Sequence, residues 1–233
     1  ALCPNHDDHN PSLSVWLPNG NDQAAYDCKA GCSHAAVTKA LIAAGLPEDK
    51  PKRKRKGKTK GRIVATYDYT DETGKRLYQT VRYENPKEFK QRRPNGSGRW
   101  VWSMKGVRRV PYHLPDIARA SDTIFICEGE KDADNLRDRL QVVTTCVAGG
   151  SNSWKRDYHY APHFEDRDVV ILPDNDEPGR KYARSVYNDI ADIAKSVKIV
   201  ELPDLDEQGD VSDWLDNGGD LEALTALVSG AEA

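Results

Sequence analysis

The chain has 233 residues, 30% charged and 38% hydrophobic, with a net charge of -3, long enough for one ordinary domain plus a small module, or for two small domains. Mean hydropathy is -0.75 and no run approaches ~18 consecutive apolar residues, which excludes a transmembrane helix. The opening ALCPNHDDHN lacks the charged-then-apolar pattern of a secretory signal, and five cysteines, an odd number, fit a disulfide framework poorly. A reducing cytoplasm is expected.

The small net charge hides a polarised chain. Residues 201–233 contribute -10 with no Lys or Arg, so the first 200 residues carry +7. Between Lys50 and Arg62, nine of thirteen residues are basic and none is acidic. The asymmetry points to a polyanionic partner at one end and cation-binding carboxylates at the other. A solvated tail and an acidic surface are the plain alternative.

At the start of the chain, Ser12–Leu17 alternates as a strand, 18–22 (PNGND) reads as a turn, and the strand resumes toward Cys28. Ala35–Ala44 has helical spacing, stopped by Gly45 and Pro47. The hairpin would bring Cys3 and His6 to Cys28 and Cys32, and three thiolates with one imidazole suit a closed structural zinc site. Free cysteines and a surface histidine are the alternative, with His9 and His34 as rival ligands. Residues 51–61 (PKRKRKGKTKG) read as a linker. Gly57-Lys58-Thr59 ends like a phosphate-binding loop, but the glycine required five positions earlier is Lys52.

Ile63–Tyr69 and Leu77–Tyr83 read as strands joined by a turn at Asp71–Gly74. From Lys87 to Arg109, cations interleave with aromatics, which suits single-stranded nucleic acid and nucleotides; a charged face with core Trp100 and Trp102 is the alternative. From residue 123 the pattern changes to apolar strands (TIFICE, VVTTCVA, DVVILPD, VKIVELP), several of them separated by helical spacing, so a parallel α/β sheet is expected. The longest helix follows Pro178 and places Ala183, Val186, Tyr187, Ile190 and Ala194 on one face. Cys127 and Cys146 read as buried.

Acidic residues fall at the ends of these strands: Glu128 with Asp132, then Asp174 with Asp176, then Asp210 with Asp213. Ligands of open α/β sheets sit beyond the carboxyl ends of the strands, so the three sets are expected to converge. Two carboxylates ~4 Å apart repel by about 4 kcal/mol at an effective dielectric of ~20, so the set needs a cation, and oxygen ligands favour Mg²⁺ or Mn²⁺. Helix capping is an alternative for any one of these acids.

These motifs resemble a known family. CPNHDDHNPSLSV with CKAGC looks like the CHC2-type zinc ribbon of bacterial-type (DnaG-like) DNA primases, and ICEGEKDAD and ILPDNDEPGRKYA look like the two signatures of the Toprim domain. Their order is that of primases, including the primase part of phage and plasmid primase–helicases. The resemblance implies an α/β fold: a zinc ribbon at 1–47, a basic linker at 48–61, a basic α+β subdomain at 62–120, a Toprim parallel sheet at 121–204 and an acidic helical segment at 205–233. It implies RNA primer synthesis from NTPs on single-stranded DNA, in a bacterial cytoplasm and possibly from a phage or plasmid, with a replicative helicase in cis or in trans. One structural Zn²⁺ would be held by Cys3, His6, Cys28 and Cys32. Two or more Mg²⁺ or Mn²⁺ would be held by Glu128, Asp132, Asp174, Asp176, Asp210 and Asp213. Glu128, Asp174 and Asp176 are the expected catalytic acids, Glu128 either as general base or as ligand. Arg82, Lys90, Arg92, Arg93, Lys105, Arg108, Arg109, Lys131 and Arg180 are the expected contacts to nucleic acid or NTP. A Toprim nuclease or topoisomerase-like enzyme, and a silent DNA-binding module of a helicase, are the competing readings.

Overall fold

The computed structural model describes residues 1–16, 25–45, 61–150 and 153–232. The turn expected at 18–22 and the basic segment through residue 60 lie outside them. The chain divides into two compact units, Ala1–Thr59 and Lys60–Ala233.

In the first unit, β1 (Leu13–Trp16) and β2 (Ala25–Cys28) form an antiparallel ladder in which Leu13 faces Cys28. The helix α1 (His34–Ala43) follows, its first turn capped by the Ser33 hydroxyl, which accepts from Ala36 N at 3.3 Å. The buried apolar cluster consists of Cys3, Leu13, Cys28 and Val37, with Tyr26, Cys32 and Leu41 packed around it. Among the described residues this is a small core, of the size that small modules supplement with a metal or another cross-link.

The second unit contains two sheets. The first is antiparallel, in the order β3 (Arg62–Thr70), β4 (Arg76–Glu84), β5 (Glu88–Pro94), β6 (Trp100–Val101). The β3–β4 turn is held as the sequence suggests: Asp71 Oδ1 accepts from Thr73 N, Thr73 Oγ1 and Lys75 N, and Gly74 takes φ +88°. Register assigns the two faces. Tyr67 pairs Thr80 and Tyr69 pairs Tyr78, whereas Asp68 pairs Gln79, which pairs Arg92. The tyrosine face is buried; Tyr69 stacks on Tyr78 with ring centroids 4.5 Å apart.

After α2 (Leu114–Arg119), the second sheet is built from β7 (Ile124–Ile126), α3 (Glu130–Leu140), β8 (Val143–Thr145), β9 (Asp168–Ile171), α4 (Glu177–Ile190) and β10 (Ser196–Ile199), with α5 (Val211–Asp216) and α6 (Leu221–Gly230) closing the chain. Its strands are all parallel, in the order β10-β9-β7-β8. Alternation along the strands separates two cores. Phe125 and Val170 face α3, α5 and the tyrosines of β3 and β4, while Ile124, Ile126, Val169 and Ile171 face α4 through Tyr182, Ala183, Val186 and Ile190. The expected helix face is present, although α4 ends at Ile190 and Ala194 packs from the turn beyond it. Cys127 and Cys146 are buried just past β7 and β8, where desolvation raises both thiols well above their ordinary range.

Candidate active site and metal-binding cluster

Strand order brings the acidic signatures together at the carboxyl ends of β7 and β9. Glu128 stands two residues beyond β7, and Gly129 starts α3 so that Asp132 lies in its first turn. Asp174 stands three residues beyond β9. The loop that carries Asp210 is tied to that turn by Asn175: its N donates to Gly209 O at 2.9 Å, and its Nδ2 to Leu205 O at 2.9 Å. Nothing in the spacing of the sequence flagged Asn175 for this task.

Glu128, Asp132, Asp174 and Asp210 line one cleft of about 470 Å³, shared with Lys131, Gly149, Gly150 and, from the antiparallel sheet, Tyr67, Arg82, Lys87 and Phe89. A larger groove of about 630 Å³ between β10 and α6 is mostly apolar, with Ile199, Val200, Trp214 and Leu227 in its wall, and lacks convergent charges. Size does not select the site; chemistry does.

The electrostatics of the cleft are those of acids in want of a cation. Burial, and then the charges of Glu128, Asp132, Asp210 and Asp176, push the Asp174 carboxyl up to about 8. Its Oδ1 is buried with no hydrogen-bond partner. Asp132 is raised to about 6, chiefly by burial, against the hydrogen bonds of Ser212, whose N and Oγ both donate to Asp132 Oδ1. A hard divalent cation with oxygen ligands fits this donor set. Lys131 Nζ lies 3.5 Å from Asp210 Oδ2 and offsets part of the charge.

The acids have unequal freedom. Asp176 caps α4, accepting from Gly179 N at 2.7 Å, and Asp210 with Asp213 forms a capping box on α5. Asp174 makes no such cap. Glu130 is buried and accepts from Tyr69 OH at 2.8 Å, tying α3 to β3. The first turn of α4 also approaches Asp174 closely: a Cβ on Gly179 would lie 2.5 Å from the Asp174 carbonyl oxygen. Gly179→Ala is therefore expected to cost about 1–3 kcal/mol or more, to lower the melting temperature by several degrees, and to displace Asp174. Thermal unfolding that matches the wild type would show that α4 can shift freely.

In the first unit, Cys3, His6, Cys28 and Cys32 offer one ligand atom each, and these atoms all lie within 4.8 Å of one another. They can hold a metal ion. The rival histidines do not join them: His9 is paired with Asp7 at 3.5 Å on the surface, and His34 stacks on Tyr26.

No protein-family model matches the chain. It is 32% identical over 107 residues to the gene 57 protein of Mycobacterium phage D29, a match covering 44% of this chain and 62% of that protein. In three dimensions, 71% of the chain superimposes on 52% of the DnaG catalytic core with a TM-score of 0.52 and 19% identity. A DNA primase domain from Pseudomonas aeruginosa matches over 84% of this chain and 59% of that one, with a TM-score of 0.51 and 18% identity. The chain has the fold of the DnaG primase catalytic core. It spans between half and two thirds of the length of each of these proteins.

On this primase fold the expected cations scatter. Arg82 and Lys131 line the acidic cleft. Lys90 and Arg92 lie on the opposite sheet face, where the Arg92 guanidinium sits 4.1 Å from the Trp100 ring centre and 5.4 Å from that of Trp102. Trp102 is 50% exposed, so it is no core residue; the tyrosines already cover the buried face. Arg93 is half-buried in β5, and Lys105 is exposed. Arg108 makes a bidentate pair with Glu72, Arg109 donates to Gln91, and Arg180 lies 3.7 Å from Glu177. Lys87 and Phe89, which open the run of cations and aromatics expected to suit nucleic acid although neither is among the individual contacts named from it, also line the cleft, carried there by the β4–β5 hairpin.

Proposed function

We propose that the chain is the priming polymerase of a phage-related replication system, joining NTPs into short RNA primers on single-stranded DNA. The observation that carries this reading is the cleft in which Glu128, Asp132, Asp174 and Asp210 face Arg82, Lys87 and Lys131. Acids alone repel a nucleotide; acids faced by cations accommodate a divalent ion and a triphosphate together.

In this reading Glu128, Asp174 and Asp210 hold the divalent ions, with Asp176 behind them as the cap that fixes the turn. Bound Mg²⁺ supplies the positive charge that favours the attacking 3′-hydroxylate and the charge developing around the α-phosphate. Asp132, engaged by Ser212, keeps α3 and α5 in register so that Glu128 and Asp210 stay in the cleft. Arg82, Lys87 and Lys131 orient the triphosphate, and the exposed ring of Phe89 offers a base a stacking surface. Asp213, Lys105, Arg108, Arg109 and Arg180 support loops around the site or contact the strand from its rim.

Cys3, His6, Cys28 and Cys32 hold one structural Zn²⁺, in keeping with three soft thiolates and one imidazole. The zinc ribbon selects the template, the basic segment 48–61 holds phosphates without sequence preference, and a helicase acts with the chain in cis or in trans. Replication in the bacterial cytoplasm is part of the same proposal; among the described residues no helix is long and apolar enough to cross a membrane.

Incubation of the full chain with unprimed single-stranded DNA, labelled NTPs and Mg²⁺ separates the readings. Oligoribonucleotides are expected. Cleaved DNA would instead indicate a nuclease or topoisomerase, and binding with no product a loading module.

A further inference from the structure

The four-residue metal set is braced by an acid that the motif reading passes over. The Asp8 side chain is only 7% exposed, in a unit with almost no core. Its Oδ2 accepts from Cys3 N at 2.6 Å, from Ser12 N at 3.2 Å and from Ser12 Oγ at 2.7 Å. Its Oδ1 lies 3.5 Å from His6 Nε2. A single carboxylate thus ties the backbone of one ligand, the start of β1 and the ring of another ligand.

Following the protons fixes the imidazole. The Ser12 hydroxyl has one hydrogen, and the short contact to a carboxylate, an acceptor only, claims it; Cys28 Sγ at 3.6 Å is the weaker competitor. Ser12 Oγ then faces His6 Nε2 as an acceptor, 3.5 Å away. Both polar neighbours of Nε2 are acceptors, so Nε2 carries the ring hydrogen, and Nδ1 of the neutral ring is left with a lone pair. Nδ1 is the nitrogen that lies 3.2 Å from the sulfur of Cys32, another member of the four-residue set.

We propose that Asp8 is a positioning residue of the metal site: it holds His6 in the Nε2–H tautomer with Nδ1 toward the ion, and it fixes the Cys3 backbone beside it. The proposal rests on the zinc reading of the four ligands. Carboxylates behind a ligating histidine act in this way elsewhere, and their loss weakens metal binding about 10–100-fold.

The test uses the full chain loaded with zinc. Asp8→Asn keeps the size and one acceptor oxygen but removes the charge beside His6. Competition against a chromogenic chelator is expected to give zinc affinity about 10–100-fold below wild type. Long-range ¹H–¹⁵N spectra of the wild-type imidazole are expected to place the hydrogen on Nε2 and the metal on Nδ1. These spectra test the tautomer even where the variant does not fold. Wild-type affinity in Asp8→Asn, or a ring hydrogen on Nδ1 in the native protein, overturns the role of Asp8 alone. A native chain that takes up no zinc overturns the zinc reading along with it.

Discussion

Asp174→Asn is expected to lower primer synthesis by at least about 10²–10³-fold, while the chain still folds and binds DNA. The substitution keeps size and hydrogen-bonding capacity and removes one charge from the cleft. Asn is nearly as good a helix cap as Asp, but the cap of α4 is Asp176, so lost capping cannot explain lost activity. Without metal, the direction reverses. The Asp174 carboxyl is held up at about 8, against an ordinary value of 3.8, because ionisation is opposed by burial and by its acidic neighbours. Between those values the folded chain retains a proton that the unfolded chain has released, so metal-free stability falls as pH rises from about 4 to about 8. Asp174→Asn removes that loss, and its metal-free melting temperature at pH 8 is expected to exceed that of the wild type, with little difference near pH 4. Added Mg²⁺ should then raise the wild-type melting temperature more than that of the variant, by mass action on the folded state. Scanning calorimetry across that pH range, beside a synthesis assay on the same preparation, checks both halves. Near-normal synthesis in Asp174→Asn would defeat the metal assignment.

Cys28→Ser is expected to abolish zinc binding and to unfold residues 1–45 while the sheets of the second unit remain folded. Structural zinc in small modules contributes roughly 10–16 kcal/mol, and among the described residues of the first unit only Cys3, Leu13, Cys28 and Val37 are buried apolar residues, two of them in the proposed ligand set. The second unit has its own cores on both faces of the parallel sheet and does not depend on that metal. Elemental analysis and limited proteolysis read the two effects separately. Stoichiometric zinc retained in the variant would remove Cys28 from the ligand set.

How far the residues alone could be read depended on the kind of information each carried. Runs such as DVVILPD are apolar on both faces, which only a sheet covered on both sides explains, and β7, β9 and β10 form where those runs lie. The meeting of Glu128 and Asp174 in one cleft follows from strand ends, whereas Asp210, well beyond the end of β10, joins them on a loop tied down by Asn175. What each acid does besides was hidden, because Asp is common at helix starts for its own reasons: Asp176 and Asp210 are caps as well as neighbours of the cleft. Contacts set by tertiary approach left no periodic signal. Lys87 and Phe89 reach the cleft only through the placement of a hairpin, and Asp8 looks like any acid in the run HDDHN until its three donors are seen. Trp100 and Trp102 alternate as core residues do, yet both rings lie against the Arg92 guanidinium on the face away from the tyrosines, and Trp102 is half exposed.

The most direct test of the account is dinucleotide formation from unlabelled and α-labelled NTPs on unprimed single-stranded DNA, compared with and without Mg²⁺. The full chain is expected to release a template-dependent ribodinucleotide that keeps its 5′-triphosphate, only when the divalent ion is present. Product that forms equally well in excess chelator, or DNA bound and left with no ribonucleotide joined under any divalent ion, would contradict it.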